Sequence, residues 1–145
     1  MAGEDPFRLQ RFIDAQEPHI EDVLTELSAG RKRTHWMWFV FPQLRGLGRS
    51  STAEFYGLGS LAEARAYLAH PVLGARLRDC TRRVLAVDGS SPNRIFGSPD
   101  DLKFHSSMTL FARADESAAN VFTRALERFW NGTADAATQR LLANG

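Results

Sequence analysis

Three stretches of the chain hold side chains that could do chemistry together. The first is Arg31-Lys32-Arg33-Thr34-His35-Trp36-Met37-Trp38-Phe39-Val40-Phe41-Pro42-Gln43, where a basic triplet and a histidine adjoin two of the three tryptophans. Indole rings stack on a nucleobase or sugar face, basic groups hold phosphate, and the Gln43 amide both donates and accepts. The same aromatics also suit a core, because large rings dominate burial, and His35 also suits a structural, hydrogen-bonded role. The second stretch is Gly46-Leu47-Gly48-Arg49-Ser50-Ser51-Thr52. Its glycines let backbone approach a ligand, and its hydroxyls could cap a helix whose free N–H groups attract an anion. It lacks the Gly-Lys-Ser/Thr ending of a P-loop, so an ordinary glycine turn explains it too. The third runs from Asp100 to Thr109. On a helix it puts Asp101 one turn from His105, and Lys103 one turn from Ser106 and Ser107. An acid, a base and hydroxyls at that spacing could serve acid–base or nucleophilic catalysis. Asp100 and Asp101 also suit a first helical turn, where the dipole favours acids. The hydroxyls of Ser106, Ser107 and Thr109 point to a polar cavity.

Other reactive types are scattered. His19, His35, His70 and His105 show neither paired-histidine spacing nor a paired carboxylate motif, so neither a metal nor a cofactor is expected. Cys80, the only cysteine, excludes an internal disulfide framework and falls on the apolar face of its helix as an inert thiol.

The elements that must position these groups read as helices. Asp5-Pro6 is a start signal for a helix burying Leu9, Phe12 and Ile13. After Pro18, Ile20, Val23, Leu24 and Leu27 share one helical face, with Gly30 as the stop. Ser60 and Glu63 form a capping box for a helix to about His70. Pro71 then opens a helix that turns Val72, Leu73, Leu77, Cys80, Val84 and Leu85 inward and ends near Gly89. Ser98-Pro99 starts another, with Ser98 as its cap. Val121, Phe122, Ala125, Leu126 and Phe129 define the next, stopped by Asn131-Gly132, and a last one runs from Asp135 to Leu142. No six residues alternate cleanly, which argues against strands. The stretch from His35 to Phe41 is apolar on all sides and reads as a short buried helix, with a buried strand as the alternative. The expectation is a mainly α, compact single-domain array of about six to eight short helices spanning 1–145.

Length and composition agree. A chain of 145 residues with 43% hydrophobic and 24% charged residues can bury a sizeable core without a metal or disulfide staple. The opening Met1 to Pro6 carries two acids and no apolar signal core, and Trp36 to Phe41 is too short to span a bilayer. A cytoplasmic protein with no membrane partner is expected. The formal net charge is only +1, so no global field draws the chain to nucleic acid. Charge is nonetheless segregated. Residues 1–30 hold seven acids and two bases, whereas 31–49 hold Arg31, Lys32, Arg33, Arg45 and Arg49 and no acid. That basic segment could hold an anion or neutralise the acidic segment before it, and nucleic acid, though not excluded, is not the expected partner. Nothing in the sequence sets an oligomeric state.

The ordered blocks resemble a known family. They are Gly30-Arg31-Lys32, His35 to Gln43, Gly46-Leu47-Gly48, Tyr67-Leu68 with His70-Pro71-Val72-Leu73-Gly74, Ile95-Phe96-Gly97 with Pro99-Asp100-Asp101, and Lys103 with Ser106-Ser107-Met108-Thr109-Leu110-Phe111. Across nearly the whole chain they are similar to domain of unknown function 1810. That resemblance implies a small, mainly helical bacterial protein and no established activity. Proteins of that family sometimes carry the label calpastatin, a disordered protease inhibitor that this sequence does not resemble. A fainter similarity, in the early aromatic block, the middle glycine-aromatic turn and the late polar helix, is to the NADAR proteins, which are linked to ADP-ribose chemistry.

The leading expectation is therefore a pocket of His35, Trp36, Trp38 and Gln43 facing Asp101, Lys103, Ser106 and Ser107, rimmed by Arg31, Lys32 and Arg49. It would bind a small phosphorylated or nucleotide-like ligand, such as an ADP-ribose-type compound. If it also hydrolyses a glycosidic or ester bond, Asp101 is the general acid/base and Lys103 the electrostatic stabiliser. The rival expectation is a non-catalytic protein that meets a partner through segment 31–49.

Overall fold

Ten helices form among residues 5–144, the part of the chain described by the structure, a computed structural model. They are α1 (Gln10–Gln16), α2 (Ile20–Ser28), α3 (Met37–Val40), α4 (Ser51–Tyr56), α5 (Leu61–Ala69), α6 (Leu73–Ala86), α7 (Pro92–Phe96), α8 (Asp100–Ala114), α9 (Val121–Trp130) and α10 (Ala136–Asn144). The first four residues of the Met1 to Pro6 segment lie outside the described residues, so the expectation about that segment does too. The mainly α class holds, but the count exceeds the expected six to eight. The excess over eight lies in α4 and α7, which have six and five residues, while α3, the short helix expected between His35 and Phe41, has four. Helices this short do not form alone. In α7, Ser91 Oγ accepts from Arg94 N at 3.3 Å, Pro92 stands in the first turn, and Gly97 at φ +74° ends it, while Ile95 and Phe96 are buried. The residues from His35 to Phe41 contain the single turn α3, which ends ahead of Pro42, since proline disfavours helical backbone before it.

Helix α8 is the hub. It packs against α5, α7, α9 and α10, while α6 packs on α2, α5 and α9. One cluster of buried side chains joins α2, α5, α6, α7, α8 and α9, with α10 packed against it through Leu141 and Leu142, and its aromatic centre has Phe104 meeting Phe41, Phe96 and Trp130 at centroid distances of 5.1, 4.7 and 5.9 Å. Outside the helices, β-type pairing among the described residues is an isolated parallel bridge between Leu44 and Leu58.

Several local expectations need correction. Asp5 does cap, accepting from Leu9 N at 2.7 Å and Gln10 N at 2.9 Å, but the helix begins only at Gln10 because Arg8 takes a left-handed φ of +54°. Ser98 does not cap α8: Pro99 holds that position, with no side-chain hydrogen bond. Glu63 accepts from Gly59 N rather than from Ser60 N, though Ser60 Oγ caps Glu63 N as expected. Val72 is exposed because α6 starts one residue later, at Leu73. Ile13, Leu85 and Phe129 reach only partial burial at the edge of the core. No helix among the described residues is long and apolar enough to cross a membrane.

Candidate functional site

The loop between α2 and α3 owes its shape to one carboxylate. Glu26 lies on the same face of α2 as Val23 and Leu27 and is buried with them. Its oxygens accept from Arg33 N at 2.6 Å, Thr34 N at 3.0 Å, Thr34 Oγ1 at 2.8 Å and Trp36 Nε1 at 3.0 Å. Burial raises the Glu26 carboxyl, but these hydrogen bonds to its charged form outweigh that and hold it below its ordinary value. Among the described residues, the acidic N-terminal segment thus meets the basic one through backbone and indole N–H groups and the Thr34 hydroxyl, with no ion pair between them. Lys32 N also donates to Ile95 O at 2.7 Å, which ties the loop to α7.

So held, the loop meets the start of α8. The Lys32 ammonium lies 2.9 Å from Asp100 Oδ2, and Lys103 Nζ lies 3.3 Å from Asp100 Oδ1. Each lysine also lies over an indole: Lys32 is 5.2 Å from the Trp36 ring centre and Lys103 is 4.8 Å from that of Trp38. The Lys32 side chain is 8% exposed, that of Asp100 20% and that of Lys103 24%. Two cations share one anion beside the partly exposed Trp38, leaving one surplus positive charge.

The first and third sequence stretches therefore do converge, through Trp38, Lys103 and Lys32, but several members of the expected pocket have other work. Trp36 is fully buried, and its N–H is used by Glu26, so its ring is no wall for a ligand. Asp101 turns to Asn93 Nδ2 at 3.3 Å and to Leu102 N at 2.9 Å, and its neighbour Asp100 faces the lysines instead. Ser106 Oγ donates to Leu102 O at 3.1 Å and Asp135 Oδ2 at 3.3 Å. Thr109 Oγ1 donates to His105 O and accepts from Asp135 N, both at 2.9 Å. These hydroxyls, expected to face a polar cavity, instead dock the start of α10, where Asp135 caps Thr138. Ser107 Oγ is buried with no hydrogen-bond partner among the described residues. His105 stacks on Trp130 at 4.0 Å and meets Thr133 O at 2.8 Å. His35, Arg31 and Arg49 are exposed, and Gln43 is half-buried, with its backbone carbonyl accepting from Leu58 N at 2.9 Å. Among the described residues, no hydrogen bond or ion pair ties these four side chains to the Lys32–Asp100–Lys103 group.

Two groups escaped the sequence reading: Asp100 as the shared anion, and Glu26 as organiser of the loop. The signal for Glu26 was present, since a carboxylate at the i+3 position of an apolar stripe is marked for burial with partners.

Among known proteins, the model of the family described as Protein of unknown function (DUF1810) matches residues 6–142. The fold is similar to the crystal structure of the conserved hypothetical protein Rv1873 from Mycobacterium tuberculosis, with 57% identity and a TM-score of 0.93. That match covers 96% of this chain and 99% of the other. No curated protein matches the chain.

Proposed function

The chain belongs to the DUF1810 family, and on that premise we propose that it binds a small phosphorylated, nucleotide-like ligand where α3 meets the start of α8. The observation that carries this reading is the Lys103 ammonium 4.8 Å from the centre of the partly exposed Trp38 ring, with Asp100 shared between Lys103 and Lys32. Phosphate is drawn to the surplus positive charge, and the flat part of the ligand packs on the open part of the indole. Lys32, with its side chain almost enclosed, acts by holding Asp100 in place. The geometry favours binding over bond cleavage. Asp101, the residue expected to move protons, is committed to Asn93 and to the helix backbone.

The test is a thermal-shift screen of the purified protein against ADP-ribose, nucleotides, sugar phosphates and inorganic phosphate. A ligand at about 100 times its dissociation constant stabilises the native state by about 2.7 kcal/mol, a shift of several degrees for a domain of this size. Support is a shift that disappears in Trp38→Ala and Lys103→Met. A shift that persists in both variants overturns the placement.

The second reading is a partner surface on segment 31–49. It is favoured by the exposed side chains of Arg31, Arg33 and Arg49, which make no hydrogen bond or ion pair among the described residues. It predicts no ligand-induced shift, together with a binding partner lost when these three arginines are replaced by glutamine.

A further inference from the structure

We propose that the cleft between the N-terminal turn and α4 is a second ligand site, which takes a small molecule carrying an oxyanion on a flat apolar group. The cleft has a volume of about 570 Å³ and shares no lining residue with the Trp38 face. Its frame is built by Arg11, whose side chain is only 8% exposed. All five Arg11 N–H groups are engaged, by Phe55 O, Phe7 O, Arg8 O, Gly57 O and Glu63 Oε2. Arg11 is therefore no ligand-binding group. It is a rivet that fastens the turn at Phe7 and Arg8 to the end of α4 and neutralises Glu63.

Two other guanidiniums line the same cleft with donors to spare. Arg45 uses Nε on Glu54 O at 3.2 Å and one Nη2 hydrogen on Gly57 O at 2.9 Å, which leaves three N–H groups free among the described residues. Because Arg11 Nη2 also reaches Gly57 O, at 3.4 Å, two guanidiniums converge on one carbonyl oxygen. Arg8 donates no side-chain hydrogen bond to any described residue, and its guanidinium carbon lies 5.8 Å from the Phe55 ring centre. Its left-handed backbone is an uncommon one for a residue with a side chain, and Asp5 fixes it through Arg8 N, Leu9 N and Gln10 N. Phe55 is 47% exposed, one of few large apolar side chains to face solvent, and it lines the cleft with Phe7. Forked donors beside an open aromatic ring match an oxyanion joined to a flat apolar body. Glu54 also lines the cleft and opposes any anion there.

Phenyl phosphate and benzoate, with inorganic phosphate as control, are titrated calorimetrically into the whole chain at low salt. Binding of either aromatic anion is expected. Arg8→Gln should weaken it about tenfold, the effect of losing one charge-assisted donor group, and leave Tm unchanged because that side chain makes no structural hydrogen bond. Glu54→Gln should tighten it about threefold by removing a like charge. Phe55→Ala should weaken the aromatic anions and leave inorganic phosphate as it was. The proposal is overturned if neither aromatic anion binds at millimolar concentration, or if their binding is indifferent to both Arg8→Gln and Glu54→Gln. Dependence on Trp38 in place of Arg8 would assign the ligand to the other face.

Discussion

Glu26 shows how one side chain carries several consequences. It is a buried carboxylate compensated, among the described residues, by the N–H and O–H donors it gathers from Arg33, Thr34 and Trp36. Replacing it with alanine leaves the Trp36 indole N–H unpaired in the core, so Glu26→Ala should cost about 2–3 kcal/mol in chemical denaturation. The pH dependence has a definite sign. The folded carboxyl is held below its ordinary value, so its stabilisation is complete above about pH 4.3 and fades as the pH falls through the lower folded-state value. The stability gap between wild type and Glu26→Ala should therefore narrow in acid. A gap that stays constant down to pH 2 would show that the hydrogen bonds do not favour the charged form. Cys80 makes the opposite case. Burial pushes its thiol up to about 12, with Asp79 adding and Arg83 and Arg76 opposing, so the reactive thiolate is scarce. A disulfide reagent at pH 8 should leave the native protein unlabelled and label one thiol after denaturation.

At the scale of the elements, α5 and α6 approach closely at Gly74. Gly74, in the first turn of α6, is buried, and a Cβ there would collide with the Leu68 carbonyl oxygen of α5. Gly74→Ala, though helix-favouring by propensity, should lower stability by about 1–3 kcal/mol in thermal or denaturant unfolding. Unchanged stability would mean that the two helices can separate without cost. Elements of this kind were largely legible in the sequence, because their signals are local. Gly30 at φ +76° ends α2, Ser60 caps α5, and Asn131 at φ +52° with Gly132 at φ +83° closes α9, all where turn and cap chemistry puts them. The short helix α7 was not legible, since five residues give no periodicity and only their burial against α8 makes them helical. The start of α1 was misplaced because Arg8 adopts a backbone that no sequence pattern at that position announces. The candidate site was half legible. The aromatic and polar blocks could be found by residue type, but which of Asp100 and Asp101 faces the lysines depends on the orientation of α8, which packing against four other helices sets.

In the whole molecule, hub helix α8 brings Lys103 to Trp38, the face proposed to take a phosphorylated ligand. The three tryptophans provide a direct reading of it. Trp36 is sealed in the core on Glu26, Trp130 is stacked on His105, and Trp38 is partly open beneath Lys103. The most direct test is a titration with ADP-ribose followed by NMR of the three indole N–H resonances, assigned by single substitution. The Trp38 resonance should move with saturation while that of Trp36 stays fixed, and the movement should be lost in Lys103→Met. A Trp38 resonance that stays still at millimolar ADP-ribose, or one that moves equally in Lys103→Met, would contradict it.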